Sequence, residues 1–200
     1  MRCCVGSRPR HKLRIGSGAV RGHHGGVSSV FERVVVPLEF VVADRDQPGT
    51  IEAGGYRLEI HDAVRKSVAL GAKLAGTSGT LLLVHATPSL ANASVYAAPE
   101  GTWMPQDSIR ELDERATRAA TKVLEDLGAK LCEGVKVKVH AAPGTPVDVI
   151  LDEAKDFKAD VIVLATSGRG RAKRFFLGST ADKVIRQAEC PVMIVPDHHD

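Results

Sequence analysis

The sequence predicts an α/β domain, an open five-stranded parallel sheet with helices on both faces. Three features predict it. Short β-branched runs recur along the chain, apolar residues at helical spacing lie between them, and glycines, prolines and hydroxyl residues mark the boundaries. The order is strand then helix, repeated, ending on a strand. Strict alternation of this kind demands parallel strands joined by right-handed crossovers.

Val34-Val35-Val36-Pro37-Leu38 is the first run, short and bounded, as expected of a strand buried on both faces. Residues 43–59 are polar and hold Pro48, Gly49, Gly54 and Gly55, which predicts a long loop. His61 to Gly76 reads as a helix. Val64, Val68 and Leu74 with Ala63, Ala69 and Ala75 form an apolar stripe, and Gly76 and Gly79 stop it. Leu81 to Ala86 is the second strand. Residues 87–106, with Pro88, Pro99 and Pro105, form a second loop. In the longest helix Ser108 and Glu111 are placed as a capping box. Ile109, Leu112, Ala116, Ala120, Val123, Leu127 and Leu131 follow at helical spacing.

Val135, Val137 and Val139 alternate with Lys136 and Lys138, the period of a strand with one wetter face near a sheet edge. Thr145, Pro146 and Asp148 fit the N-cap, N1 and N3 positions of the next helix. Val161 to Ala165 is the most apolar run and is expected at the sheet centre. Ser179 and Asp182 are expected to cap a last helix reaching Glu189. Cys190-Pro191 breaks it, and Val192 to Val195 is the fifth strand.

Composition bounds the class. The 200 residues are 44% hydrophobic and 26% charged, enough apolar surface for a core, so disorder throughout is excluded. No apolar run approaches the roughly 18 residues of a membrane span. The net charge of +3 is uneven. Arg2, Arg8, Arg10, Lys12, Arg14 and Arg21 stand in residues 1–30 without one acid, so the rest of the chain is net acidic. We therefore expect a disordered basic tail over 1–30 and one domain over 31–197, with no nucleic acid or membrane as partner. An acid-free, Arg-rich start is also the weak mark of a transit peptide, and an initiation codon set too early would give the same string. Cys3, Cys4, Cys132 and Cys190 make neither a disulfide framework nor a C-x-x-C pair, which points to a reducing cytoplasm.

In open parallel sheets ligands bind beyond the carboxyl ends of strands, where the strand order reverses. One stretch at such an end carries chemistry, Ala165 to Thr180. Gly168 and Gly170 allow close approach of backbone to a ligand. Gly178 precedes Ser179 and Thr180 at a helix start, where free N–H groups favour an anion. Arg169, Arg171, Lys173 and Arg174 add positive charge. Taken singly, each feature also has a plain structural use as a turn, a cap or a solvated surface. Together they point to a polyphosphate. His85 ends a strand, where packing and hydrogen bonding are the commoner use. His23-His24 and His198-His199 lack partners at metal spacing. Neither a P-loop nor a nucleophile elbow is present.

The stretch resembles the nucleotide loop of the universal stress protein family. That pattern is Gly, two residues, Gly, nine residues, Gly, then Ser or Thr. Here Ala165 takes the first position, Gly168 the second, and Gly178-Ser179 close it after Arg169 to Leu177. Val35 to Glu39, Leu83 to Ala86, Gly144-Thr145-Pro146 and Cys190-Pro191-Val192 resemble further parts of the family, so the likeness covers about residues 31–196. It implies a Rossmann-like sheet of the adenine nucleotide alpha hydrolase-like type, in order 3-2-1-4-5. It also implies a homodimer paired through the last strand, Val192 to Val195. ATP, with Mg2+, would lie across the first and fourth strands. Adenine and ribose would meet Pro37, Leu38, Glu39 and Ala86, and the phosphates Gly168, Arg169, Gly178, Ser179 and Thr180, with Ala165 beside them.

Two positions depart from the pattern. Glu39 stands where the family usually has Asp, which moves the carboxylate by about 1.5 Å, one C–C bond length. Ala165 replaces a Gly. The function implied is a dimeric, ATP-dependent regulator in stress response that acts on an unidentified protein partner. Any hydrolysis is expected to be slow, because no general base is identified. A non-nucleotide dimeric interaction module of the same fold, and an enzyme such as an adenylyl transferase, are the alternatives.

Overall fold

The structure, a computed structural model, describes residues 30–43, 50–89, 105–166 and 178–196. Of the basic tail expected over 1–30, residues 1–29 lie outside them. Strand β1 (Arg33–Pro37) carries Val34, Val35 and Val36, all fully buried, so both faces of this strand are inside the molecule. It pairs in parallel with β5 (Thr80–Thr87) on one side and β7 (Val161–Ala165) on the other. Beyond β5 lies β6 (Lys136–Pro143), and beyond β7 lies β8 (Val192–Val195), both also parallel. Counting only these five strands in chain order, the sheet runs 3-2-1-4-5, as the family resemblance implied.

The helices follow from the apolar stripes. α1 (Asp62–Ala75) buries Ala63, Val64, Val68 and Ala75. With α2 (Gln106–Leu131) it covers the face onto which Val34 and Val36 point. α3 (Pro146–Asp156) and α4 (Ser179–Gln187) cover the opposite face, around Val35, Leu82, Val84 and Ile162. Thr145 accepts from the Asp148 amide at 3.3 Å, with Pro146 opening α3, as its sequence predicted. β6 is an edge strand, and its Lys136 and Lys138 are exposed.

Four expectations need correction. β1, not β7, is the sheet centre, although β7 is interior and buried from Val161 to Leu164. Two unbroken apolar runs look alike in sequence, and pairing on both sides distinguishes them. Ser108 is not a cap: α2 starts earlier, at Pro105, whose carbonyl already accepts from the Ser108 and Ile109 amides. The apolar stripe of α2 is buried only from Ala120 onward, because its first half extends past the sheet, and Leu112 stays exposed.

The fourth correction is the largest. Within the expected loop at 43–59, β3 (Thr50–Ala53) and β4 (Tyr56–Glu59) form an antiparallel hairpin, and β2 (Val41–Val42) pairs with β4. The turn is Gly54-Gly55, with φ of +60° and +84°, as a two-residue hairpin turn requires. Alternation drives the fold: Ala53 and Leu58 point inward and join the α1–α2 side of the core. The hairpin docks on α2, where Asp126 accepts from the Gly54 amide at 2.7 Å and Lys130 donates to the Glu52 carbonyl.

A Cβ on Gly54 would lie 2.7 Å from a Val123 methyl, on backbone that L-residues rarely adopt, whereas one on Gly55 would meet nothing within 4 Å. Gly54→Ala is therefore expected to cost about 2–4 kcal/mol, combining left-handed strain with overpacking. Gly55→Asn is expected to stay within about 1 kcal/mol, because Asn tolerates this backbone. Urea midpoints at unchanged slope measure both.

Candidate functional site

The strand order reverses between β1 and β7, so the crevice lies at their carboxyl ends. Pro37 opens it. The Leu38 amide donates to the Val84 carbonyl on the β5 side at 2.8 Å. Successive residues of a parallel strand address alternate neighbours, so position 37 faces β7, and proline has no N–H to give. The pairing of β1 with β7 accordingly spans Val34–Val161 and Val35–Ile162.

Beyond Pro37 the three following side chains part company. Leu38 is 3% exposed and belongs to the core on the α1–α2 side. Its carbonyl accepts from His85 Nδ1 at 2.8 Å, so both its backbone polar groups are engaged within the protein. Glu39 is exposed. Phe40 folds back, and its ring lies on the His85 imidazole at 4.0 Å between centroids and 17° between planes. Ala86, next on β5, is half-buried and packs toward the α3–α4 side. His85 is thus packed and hydrogen-bonded, the structural use expected for it. Phe40 was missed by sequence reasoning; its signal was an aromatic residue directly after the strand-end acid.

β7 and β8 are parallel, so α4 between them must run the opposite way, and its N-terminus returns to the same edge as Glu39. At the end of β7 the Thr166 amide donates to the Val195 carbonyl at 3.0 Å. Ala165 is half-buried against the α1–α2 core. Among the described residues Lys158 is the one non-glycine with positive φ, so Ala165 needs no left-handed backbone and replaces glycine without strain there.

The start of α4 differs from its expected cap. Gly178 is the N-cap, Ser179 and Thr180 are the first two helical residues, and no side chain among the described residues caps the helix. Asp182 falls one position too late for a capping box. Its amide bonds the Gly178 carbonyl, and its carboxylate pairs with Arg186 at 3.0 Å. The helix ends at Gln187 rather than Glu189. The first amides of α4 lie at this edge, beside the exposed Ser179, and have no side-chain partner among the described residues. Gly168, Arg169 and the other basic residues of the loop lie outside the described residues.

Fold and site together define a Rossmann-like α/β domain with a helix N-terminus and a strand-end carboxylate at the same edge of its sheet. The chain belongs to the universal stress protein family, whose model matches residues 60–196. β1 and the three-stranded sheet precede the matched part. It is 34% identical over 97 residues to universal stress protein MJ0531 of Methanocaldococcus jannaschii, covering 48% of this chain and 54% of that protein. It is 31% identical over 108 residues to a universal stress protein A-like protein of Arabidopsis thaliana, covering 54% and 58%. The chain spans about half the length of these curated relatives. The solved structure of M. jannaschii protein MJ0577 has the same fold, at TM-score 0.60 and 19% identity, over 84% of this chain and 99% of that one. Among the described residues no helix is long and apolar enough to cross a membrane.

Burial pushes the His85 pKa below 6.5, while the bond to Leu38 and the nearby Glu39 pull it upward. A carbonyl only accepts, so the neutral ring carries its proton on Nδ1. As pH falls through 6.5 the unfolded chain binds this proton first, and His85 withdraws stability until its lower folded pKa is passed. Ring nitrogen NMR shifts are expected to show the Nδ1–H tautomer at pH 7. His85→Gln is expected to flatten the acid-side fall of the urea midpoint.

Proposed function

We propose that this protein is a nucleotide-dependent regulator of the universal stress type, taking ATP, with Mg2+ at its phosphates, across the ends of β1 and β7. The observation that carries the reading is the start of α4, which opens on a glycine without a side-chain cap at the switch-point edge. The amides of its first turn and its partial positive charge suit the phosphates, with the Ser179 and Thr180 hydroxyls as further donors. Gly168 and Arg169 join this group on sequence alone. Glu39 repels phosphate and accepts from hydroxyls, so it belongs at the sugar. Pro37 and Ala86 then border the base, with the buried Leu38 behind them rather than against it, and Ala165 lies between sugar and phosphate.

Calorimetric titration tests the reading. Wild type is expected to bind below about 1 mM ATP, and Gly178→Val to bind about tenfold more weakly. Gly178 has φ −59° and ψ 154°, which any residue adopts, so the valine obstructs the amides without straining the backbone. No heat from wild type at millimolar ATP would overturn the reading in favour of the non-nucleotide interaction module.

Regulation implies a reader. In this proposal two copies pair through β8, and a cytoplasmic protein partner reads the surface ordered by the nucleotide. Support comes from β8 ending the sheet among the described residues, with Met193 36% exposed. Met193→Asp is expected to turn a dimer into a monomer in sedimentation equilibrium. Unchanged mass would remove β8 as the interface.

A further inference from the structure

We infer that Phe40 and His85 act together as positioning residues that hold Glu39 toward the ribose, an inference resting on the nucleotide reading above. Glu39 is flanked by two anchored residues. On one side the Leu38 carbonyl accepts from His85 Nδ1 at 2.8 Å. On the other the Phe40 ring lies nearly parallel to the same imidazole, 4.0 Å away. One side chain on β5 therefore grips both neighbours of Glu39. Leu38 turns into the core, Phe40 turns onto the histidine, and Glu39 alone of the three is exposed.

The grip answers a geometric problem. A glutamate reaches about one bond length further than an aspartate and has one more rotatable bond to immobilise. A mobile backbone beneath it would spread the carboxylate over many positions. With residues 38 and 40 fixed, the backbone that carries Glu39 is held in one place when a hydroxyl arrives. The histidine and phenylalanine need not touch the nucleotide, because they act through the backbone of Glu39.

The ratio of affinities for ATP and 2′-deoxyATP tests this, since a packing role alone would change stability and leave the ratio unmoved. Wild type is expected to prefer ATP about tenfold, the scale of one charge-assisted hydrogen bond. Glu39→Gln is expected to reduce the preference to about twofold. Phe40→Leu keeps apolar bulk and loses the ring stack. It is expected to reduce the preference similarly, with 2′-deoxyATP affinity within about twofold of wild type, while Phe40→Tyr restores the preference. His85→Phe keeps the stack, loses the anchor on Leu38, and is expected to fall between; it carries the test if Phe40→Leu melts. A full preference in both Phe40→Leu and His85→Phe would overturn the inference. So would a wild type that binds ATP without preferring ribose. A wild type that binds neither nucleotide would overturn the nucleotide reading itself.

Discussion

Everything in this molecule hangs on three consecutive valines with no contact with water. Val34 and Val36 face the α1–α2 core, Val35 faces the α3–α4 core, and the backbone between them is paired on both sides. Such a strand must be central, and both helical layers are arranged about it. It also fixes where the chain emerges. Pro37 ends the pairing toward β7 because it lacks a donor, and the crevice begins at that residue. The location of the candidate site is therefore a consequence of the core.

The edge that results is electrically divided. The start of α4 presents amide hydrogens and the positive end of a helix, while Glu39 presents a carboxylate at the end of β1. A ligand with an anionic end and a hydroxyl-bearing end can lie across such an edge in only one direction. Position along the edge, rather than any single side chain, gives this asymmetry.

The interior strands β1, β5 and β7 were legible because burial on both faces writes itself as unbroken apolar runs, and β6 because alternating valine and lysine mark a half-wet edge. α1 and the Thr145 cap of α3 were legible because local chemistry decides them. The helix starts at Pro105 and Gly178 were not, since serine three residues before an acid is a pattern that occurs without the bond it suggests. The hairpin was hidden by polar composition, although Gly-Gly between alternating segments was its signal. At the site, sequence located the edge and the glycine before Ser179. It gave no sign that Phe40 and His85 would meet, because the stack joins residues 45 apart in the chain and depends on the register of β1 with β5.

The bond from Gly54 to Asp126 joins residues 72 apart. During synthesis the three small strands leave the ribosome well before the helix that supports them. At about 5–20 residues per second the interval is about 4–14 s. A hairpin forms in microseconds, yet Leu58 has no complete shelter until α2 exists. The nascent chain therefore carries this ribbon without its α2 support for far longer than the ribbon takes to form.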